Sequence, residues 1–209
     1  MTGPYYRVEN KAETKAETKA VNKVEHMEYF DVVDINGLPT GQTVERAKAH
    51  AEGIMHRTSH VWLVRKRNGH IEILLQKRCD TKASFPGCYD ISSAGHIPAG
   101  VDFAPSAVRE LKEELGLDAS ETELIFCGDR ITAWDREFFG KPFHDREYNR
   151  VFVLWCDLNE DGFHLQPEEV SAVRWMELDE AIAAVNANTI RHCIRPEELR
   201  MVKERIVRS

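Results

Sequence analysis

Three glutamates within five positions are the residues best placed to do chemistry. They lie in the stretch 107–117, AVRELKEELGL. At about 100° per helical residue, Glu110 at 0° puts Glu113 near about 300° and Glu114 near about 40°, on one narrow face. Val108, Leu111 and Leu115 fall near about 160°, 100° and 140°, on a second face that can anchor the helix in a core. Gly116 supplies a C-terminal stop. Glu110 and Glu114 repel each other, at a cost of about a few tenths of a kcal/mol on an exposed helix. A divalent cation on that face turns the repulsion into attraction. Clustered carboxylate oxygens suit hard ions such as Mg²⁺ or Mn²⁺, which neutralise phosphate oxygens and lower the pKa of bound water. Arg109 stands four residues before Glu113, within pairing reach, and Lys112 is the other cation nearby. On helix geometry alone, a solvated acidic face is the commoner meaning of such a pattern.

The elements that must position this helix are strands and helices without a regular βαβ repeat. Tyr29–Ile35 reads as a strand followed by an Asn36-Gly37 turn, and Thr43–Gly53 as a short helix. His60–Arg65 and Ile71–Lys77 flank Asn68-Gly69, the favoured pair for a tight hairpin. Residues 91–100 read as a loop of small residues and 103–115 as a helix. Leu124–Cys127, Arg130–Ala133, Arg150–Leu158 and Val173–Met176 read as strands. Leu178–Ala187 and Pro196–Val207 read as helices, the second with proline in its first turn, where it is tolerated. The expected fold class is α/β (α+β), a mixed β-sheet with helices on its faces.

The whole chain has 209 residues, which fits one domain plus trimmings. Residues 1–26, with the tandem KAETKAET, hold almost no large apolar side chain and read as a low-complexity tail or solvated helix. The globular domain is expected over 27–209, ending in the two helices. With 28 Lys+Arg against 35 Asp+Glu, the net charge of −7 argues against broad nucleic-acid binding. No apolar run reaches the roughly 18–20 residues that span a membrane, and no signal-peptide pattern opens the chain. The five cysteines form no C-x-x-C pair, so a reduced, cytoplasmic protein is the expectation. A homodimer is the ordinary expectation for a soluble enzyme.

The loop before the acidic helix adds the decisive spacing: Gly95, five residues, Val101, seven residues, then Arg109-Glu110-Leu111-Lys112-Glu113-Glu114-Leu115-Gly116-Leu117. This resembles the Nudix box, G-x5-E-x7-R-E-U-x-E-E-x-G-U, with Val101 in place of its first glutamate and Asp102 adjacent, as a partial substitute or a helix cap. The resemblance implies a Nudix-type α/β/α sandwich. It also implies metal-dependent cleavage of a diphosphate linkage in a small molecule, with Glu110, Glu113 and Glu114 as metal ligands and catalytic residues alongside Arg109. Gly95 then belongs to the substrate-binding loop. One of the three glutamates, or Glu168 or Glu169, is implied as the base.

Upstream, Gln76-Lys77-Arg78, Lys82, Phe85-Pro86-Gly87-Cys88-Tyr89-Asp90 and Ser92-Ser93-Ala94-Gly95-His96 resemble the type I isopentenyl-diphosphate isomerases, as do Met55-His56-Arg57 and the positions Asp145, Glu147 and Val151. That resemblance implies Arg78 and Lys82 as diphosphate-binding cations, which suits bidentate and point-charge recognition of phosphate. It implies His56, His96 and Glu147 as metal ligands, with Asp145 replacing a longer carboxylate and His50 one residue out of step with a further histidine. Ala94 stands where the isomerases carry their catalytic cysteine, and a methyl group transfers no proton.

The favoured reading is therefore a hydrolase of nucleoside-diphosphate-type substrates on an isomerase-like scaffold. An isopentenyl-diphosphate isomerase and a non-catalytic binding module are the alternatives. His60, His144 and His164 carry no motif. Trp62, Trp155 and Trp175 are expected in the core. Trp134, Phe138, Phe139 and Phe143 lie in what reads as a long insertion, available to line a nucleobase, to pack a core or to make a dimer contact.

Overall fold

A computed structural model describes residues 28–82, 84–138 and 140–208; the low-complexity segment read over 1–26 and Phe139 lie outside the described residues. At the centre is strand β3 (His56–Arg67), which turns at Asn68-Gly69 into β4 (His70–Arg78). Asn68 and Gly69 have φ of 52° and 86°, the left-handed pair that a two-residue hairpin requires. The two strands stay paired only as far as Val64 and Ile73. Beyond that point β3 pairs instead with β6 (Ser93–His96), and β4 with β5 (Tyr89–Asp90). Buried Ser92 closes the fork: its Oγ accepts from Leu63 N at 2.8 Å and donates to Leu74 O at 2.6 Å.

On the other edge of β3 runs β8 (Lys141–Trp155), parallel to it, and β7 (Ile125–Phe138) pairs with β8. Strand β9 (Val170–Glu177) pairs with β4 and completes a seven-stranded mixed sheet. Helix α2 (Phe103–Leu115) covers one face, where Leu111 and Leu115 pack against Val61, Leu63, Leu74, Phe152 and Leu154. Helices α3 (Leu178–Ala187) and α4 (Pro196–Val207) cover part of the other, against Trp62, Val64, Ile73, Val151 and Val153. Strands β1 (Tyr29–Val33) and β2 (Pro39–Glu45) form a separate ribbon that leads into α1 (Arg46–Glu52).

Several expectations need correction. The helix expected over Thr43–Gly53 begins at Arg46, because Thr43–Glu45 belong to β2; that strand, PTGQTVE, is mostly exposed and has no alternating pattern to announce it. The loop 91–100 contains β6. The insertion around Trp134 is the two long arms of the β7–β8 hairpin, and the two short strands expected over 124–133 are one strand bulged between Phe126 and Gly128. Trp62 and Trp175 are buried, but Trp155 is exposed at the end of β8. All five cysteines are unpaired. Among the described residues no helix is long and apolar enough to cross a membrane.

Candidate active site

Strand register fixes which side chains share the face that α3 and α4 cover only in part. From the covered end outward the rows are Trp62 with Val153 and Ile125, then Ala94 with His60 and Val151, then His96 with Thr58, Asn149 and Arg130, then His56 with Glu147 and Thr132, then Asp145 with Trp134. Side chains alternate along a strand, so residues opposite in register point the same way. The face is apolar beneath the helices and polar beyond them. Over the polar part lies a cavity of about 1380 Å³, lined also by Arg78, Lys82, Gly95, Arg109, Glu110, Glu113 and Glu114.

The acidic helix reaches this cavity over the edge of β6. Asp102 Oδ1 accepts from Phe103 N at 2.7 Å and so caps α2, while Val101 packs in the apolar cluster beneath the helix. At the other end Gly116, at φ 66°, stops the helix. Glu114 is buried, and its Oε2 accepts from Ser93 Oγ at 2.8 Å and Ala94 N at 3.3 Å. Glu110 lies against Gly95, where any Cβ would collide with its carboxyl group. Gly95 thus lines the cavity by giving Glu110 room. Burial, reinforced by Glu110, pushes the Glu114 carboxyl up to about 8. Burial likewise raises Glu110 to about 7, against the pull of Arg109. Arg109 donates to Glu110 at 2.6 Å, to Glu113 at 3.2 Å and to the His96 carbonyl at 3.3 Å, while Glu113 is exposed at the rim.

Opposite the helix, Arg78 donates to Asp90 at 3.0 Å and to the Ser84 carbonyl at 3.1 Å. Lys82 pairs with Glu169. Glu169 lines the cavity, whereas Glu168 does not; its backbone carbonyl accepts from the Cys79 thiol. Of the two loop glutamates considered as base, only Glu169 faces the site.

A second cluster lies one row further out. Ligand atoms of His50, His56 and His96 fall within 4.8 Å of one another, as do those of His56, Asp145 and Glu147. His50, one residue out of step in sequence, is brought in by α1 and lies 3.2 Å from His96, Nε2 to Nε2. Phe30 of β1 stacks on His96 and His56 at centroid distances of 4.8 and 4.9 Å, which fixes both rings. His56 Nδ1 donates to the Ile54 carbonyl at 2.8 Å, which leaves Nε2 as the ring nitrogen turned to the cluster. His56 Nε2 and Asp145 Oδ1 are buried with no hydrogen-bond partner. Burial and the neighbouring cations and imidazoles hold His50 down to about 4 and His96 well below its ordinary value. Burial beside Glu147 raises Asp145 to about 9. Imidazoles, adjacent carboxylates and orphaned ligand atoms are a donor set that fits a divalent cation.

Three features of this cavity escaped the sequence reading. His60 carries no motif, yet it lies in the cavity wall with Nδ1 at 3.0 Å from Glu198 of α4. Glu198 and Arg130 were likewise unmarked. A signal was present: Glu198 falls on the Leu199/Val202 stripe of α4, where a charge must be buried and paired. His144 pairs with Asp135 on the exposed hairpin arm, and His164 does not line the cavity. At the mouth, Phe85, Trp134, Phe138 and Phe143 form one ring cluster, with centroid separations of 5.0 to 6.3 Å.

Residues 55–195 match the family model described as NUDIX domain. A plant protein, Nudix hydrolase 3 of Arabidopsis thaliana, is 40% identical over 157 residues; these cover 73% of this chain but 20% of that protein, so the chain spans a fifth of it. The isopentenyl-diphosphate Delta-isomerase of Escherichia coli is 26% identical over 161 residues, covering 77% of this chain and 82% of the isomerase. The crystal structure of a Deinococcus radiodurans protein superposes with a TM-score of 0.61 at 17% identity, covering 83% of this chain and 98% of that one, which establishes likeness of fold.

Proposed function

The chain belongs to the NUDIX domain family, as a pyrophosphohydrolase acting on phosphoanhydride bonds, and from that premise we propose that it uses Mg²⁺ or Mn²⁺ to cleave the diphosphate linkage of a nucleoside diphosphate joined to a further group. The observation that carries this is the pair Glu110 and Glu114. A half-buried carboxylate, Glu110, and a buried one, Glu114, raised to about 7 and about 8, face a cavity that also holds Arg78 and Lys82. Such an arrangement is unfavourable alone and favourable once a doubly charged cation shares it.

In this reading Glu110 and Glu114, with Glu113 at the rim, hold the divalent ion, and His50, His56, His96, Asp145 and Glu147 form a second donor set. A bound ion supplies charge neutralisation on the phosphates and a more acidic water. Arg78 and Lys82 grip the diphosphate oxygens, Arg78 held in place by Asp90 and Ser84. Water adds to one phosphorus, the bridging P–O bond breaks towards the other phosphate, and Glu169 accepts the proton. Arg109 acts by positioning Glu110 and Glu113. The rings of Phe85, Trp134, Phe138 and Phe143 offer an apolar surface to a nucleobase.

A panel of nucleoside di- and triphosphates, nucleotide sugars and prenyl diphosphates, assayed with Mg²⁺ or Mn²⁺ for phosphate products and isomer formation, tests the proposal. Metal-dependent hydrolysis is expected, falling at least about 100-fold in Glu114→Gln, the order of loss when a preorganised charged group is removed. Turnover without metal, or at the wild-type rate in that variant, contradicts it. The imidazole–carboxylate cluster favours isomerisation as the second reading, and Ala94 opposes it. Deuterium exchange into isopentenyl diphosphate decides between the two.

A further inference from the structure

Between the imidazole–carboxylate cluster and the apolar core, the cavity wall is neither apolar nor acidic. Glu198 is fully buried and accepts from His60 Nδ1 at 3.0 Å, Trp62 Nε1 at 2.8 Å and Arg130 at 2.7 Å. Burial disfavours the charged form of the His60 ring, and Glu198, which also faces Arg130, outweighs it and raises the ring above its ordinary value. On the other side of the ring, Nε2 lies 3.3 Å from Thr58 Oγ1.

Hydrogen-bond accounting fixes what Thr58 presents to the cavity. Asn149 Nδ2 donates to Thr58 Oγ1 at 2.6 Å and to Glu147 Oε2 at 2.9 Å, while Asn149 Oδ1 accepts from Thr132 at 2.5 Å. In its protonated form, which Glu198 favours, His60 donates from Nε2 as well. Both lone pairs of the Thr58 oxygen are then occupied, and its hydrogen is left to donate into the cavity. Arg130 has one hydrogen bond, to Glu198; its other donors have no partner among the described residues, and it lines the cavity. With His60 protonated, this row of donors sets two cations against Glu198, and Glu147 and Asp90 are the other carboxylates that act on the ring.

We propose that Arg130, His60 and the Thr58 hydroxyl form an anion-accepting subsite that receives a phosphoryl or carboxylate group of the substrate remote from the cleaved linkage, with Glu198 as its positioning residue. The inference rests on the reading that the diphosphate lies on α2, and it narrows the substrate class to compounds whose second group is itself anionic. A five-carbon hydrocarbon chain would gain nothing here, since it would strip water from Arg130 and Thr58 without replacing their hydrogen bonds.

The test uses the full-length protein treated with EDTA and labelled with ¹⁵N-histidine. Methylenediphosphonate is added to saturation to occupy the Arg78/Lys82 end. Inorganic phosphate and acetate are then titrated separately, and the His60 ring signal is identified by its loss in His60→Gln. A saturable shift of that signal with either anion is expected. Phosphate alone assigns a phosphoryl group, and acetate, with or without phosphate, assigns carboxylate recognition. Arg130→Gln should weaken the anion at least about tenfold, equivalent to about 1.4 kcal/mol. Thr58→Val, which removes the donor and keeps the shape, should weaken it several-fold even if Arg130→Gln unfolds. No shift with either anion, or equal affinity in Thr58→Val, overturns the subsite. Failure here with intact metal-dependent turnover removes only the subsite, whereas loss of the proposed function shows in the hydrolysis panel.

Discussion

Two halves of one sheet face share strands, register and alternation, and differ in what lies above them. Under α3 and α4 the inward residues of β3 and β8 are Trp62, Val64, Val151 and Val153, closely packed. Beyond the N-terminus of α4 the same two strands present Thr58, His60, Asp145 and Glu147 to a cavity, with His56 and Asn149 buried in the same rows. Strand geometry dictates orientation and nothing more; coverage by a helix decides whether an inward position becomes core or site. Glu198 stands on the border and hydrogen-bonds both Trp62 of the core half and His60 of the site half.

The sharpest way to break this comparison is to damage the covered half alone. Trp62→Ala opens a void under α4 and frees one Glu198 acceptor, so unfolding in urea should show a loss of about 3–5 kcal/mol. A loss below about 1 kcal/mol would mean that the covered half is not the core. The border residue gives a smaller, pH-dependent effect. His60 and Arg130 outweigh the burial penalty and hold Glu198 down to about 2, against an ordinary value of 4.5. A depressed carboxylate adds stability above its unfolded pKa and loses it as the pH falls through its folded pKa. The stability gap between wild type and Glu198→Gln should therefore be full at pH 5 and close by on the order of 3 kcal/mol towards pH 2. Denaturant titrations across that range measure it, and a gap independent of pH would remove Glu198 from the border role.

The legible parts of the fold are those with a strong period or a strong stop. Helix α2 runs over the predicted 103–115 between Asp102 and Gly116, and α3 and α4 also match their expected bounds. The Asn68-Gly69 hairpin was equally plain. Strand β2 was not, because an exposed ribbon strand needs no apolar alternation, and β6 was hidden by its Ser-Ala-Gly composition. In the site, the motif residues Arg78, Lys82, Gly95, Arg109, Glu110, Glu113, Glu114, His56, His96 and Glu147 all reach or adjoin one cavity. His60, Thr58 and Arg130 are illegible singly, since each becomes part of the cavity wall only through the pairing of β3, β8 and β7, with Asn149 buried behind them. His50 needed α1 to carry it across its one-residue offset.

Binding of a divalent ion by the carboxylates of α2 is the step on which the proposed hydrolysis depends. Titration of the full-length protein with Mn²⁺, followed by electron paramagnetic resonance of the free ion, measures this directly in wild type, in Glu110→Gln/Glu114→Gln and in His56→Gln. Bound Mn²⁺ is expected in wild type, with a class of sites lost in the glutamate double variant and retained in His56→Gln. Equal binding by wild type and the glutamate double variant, or none in either, would contradict it.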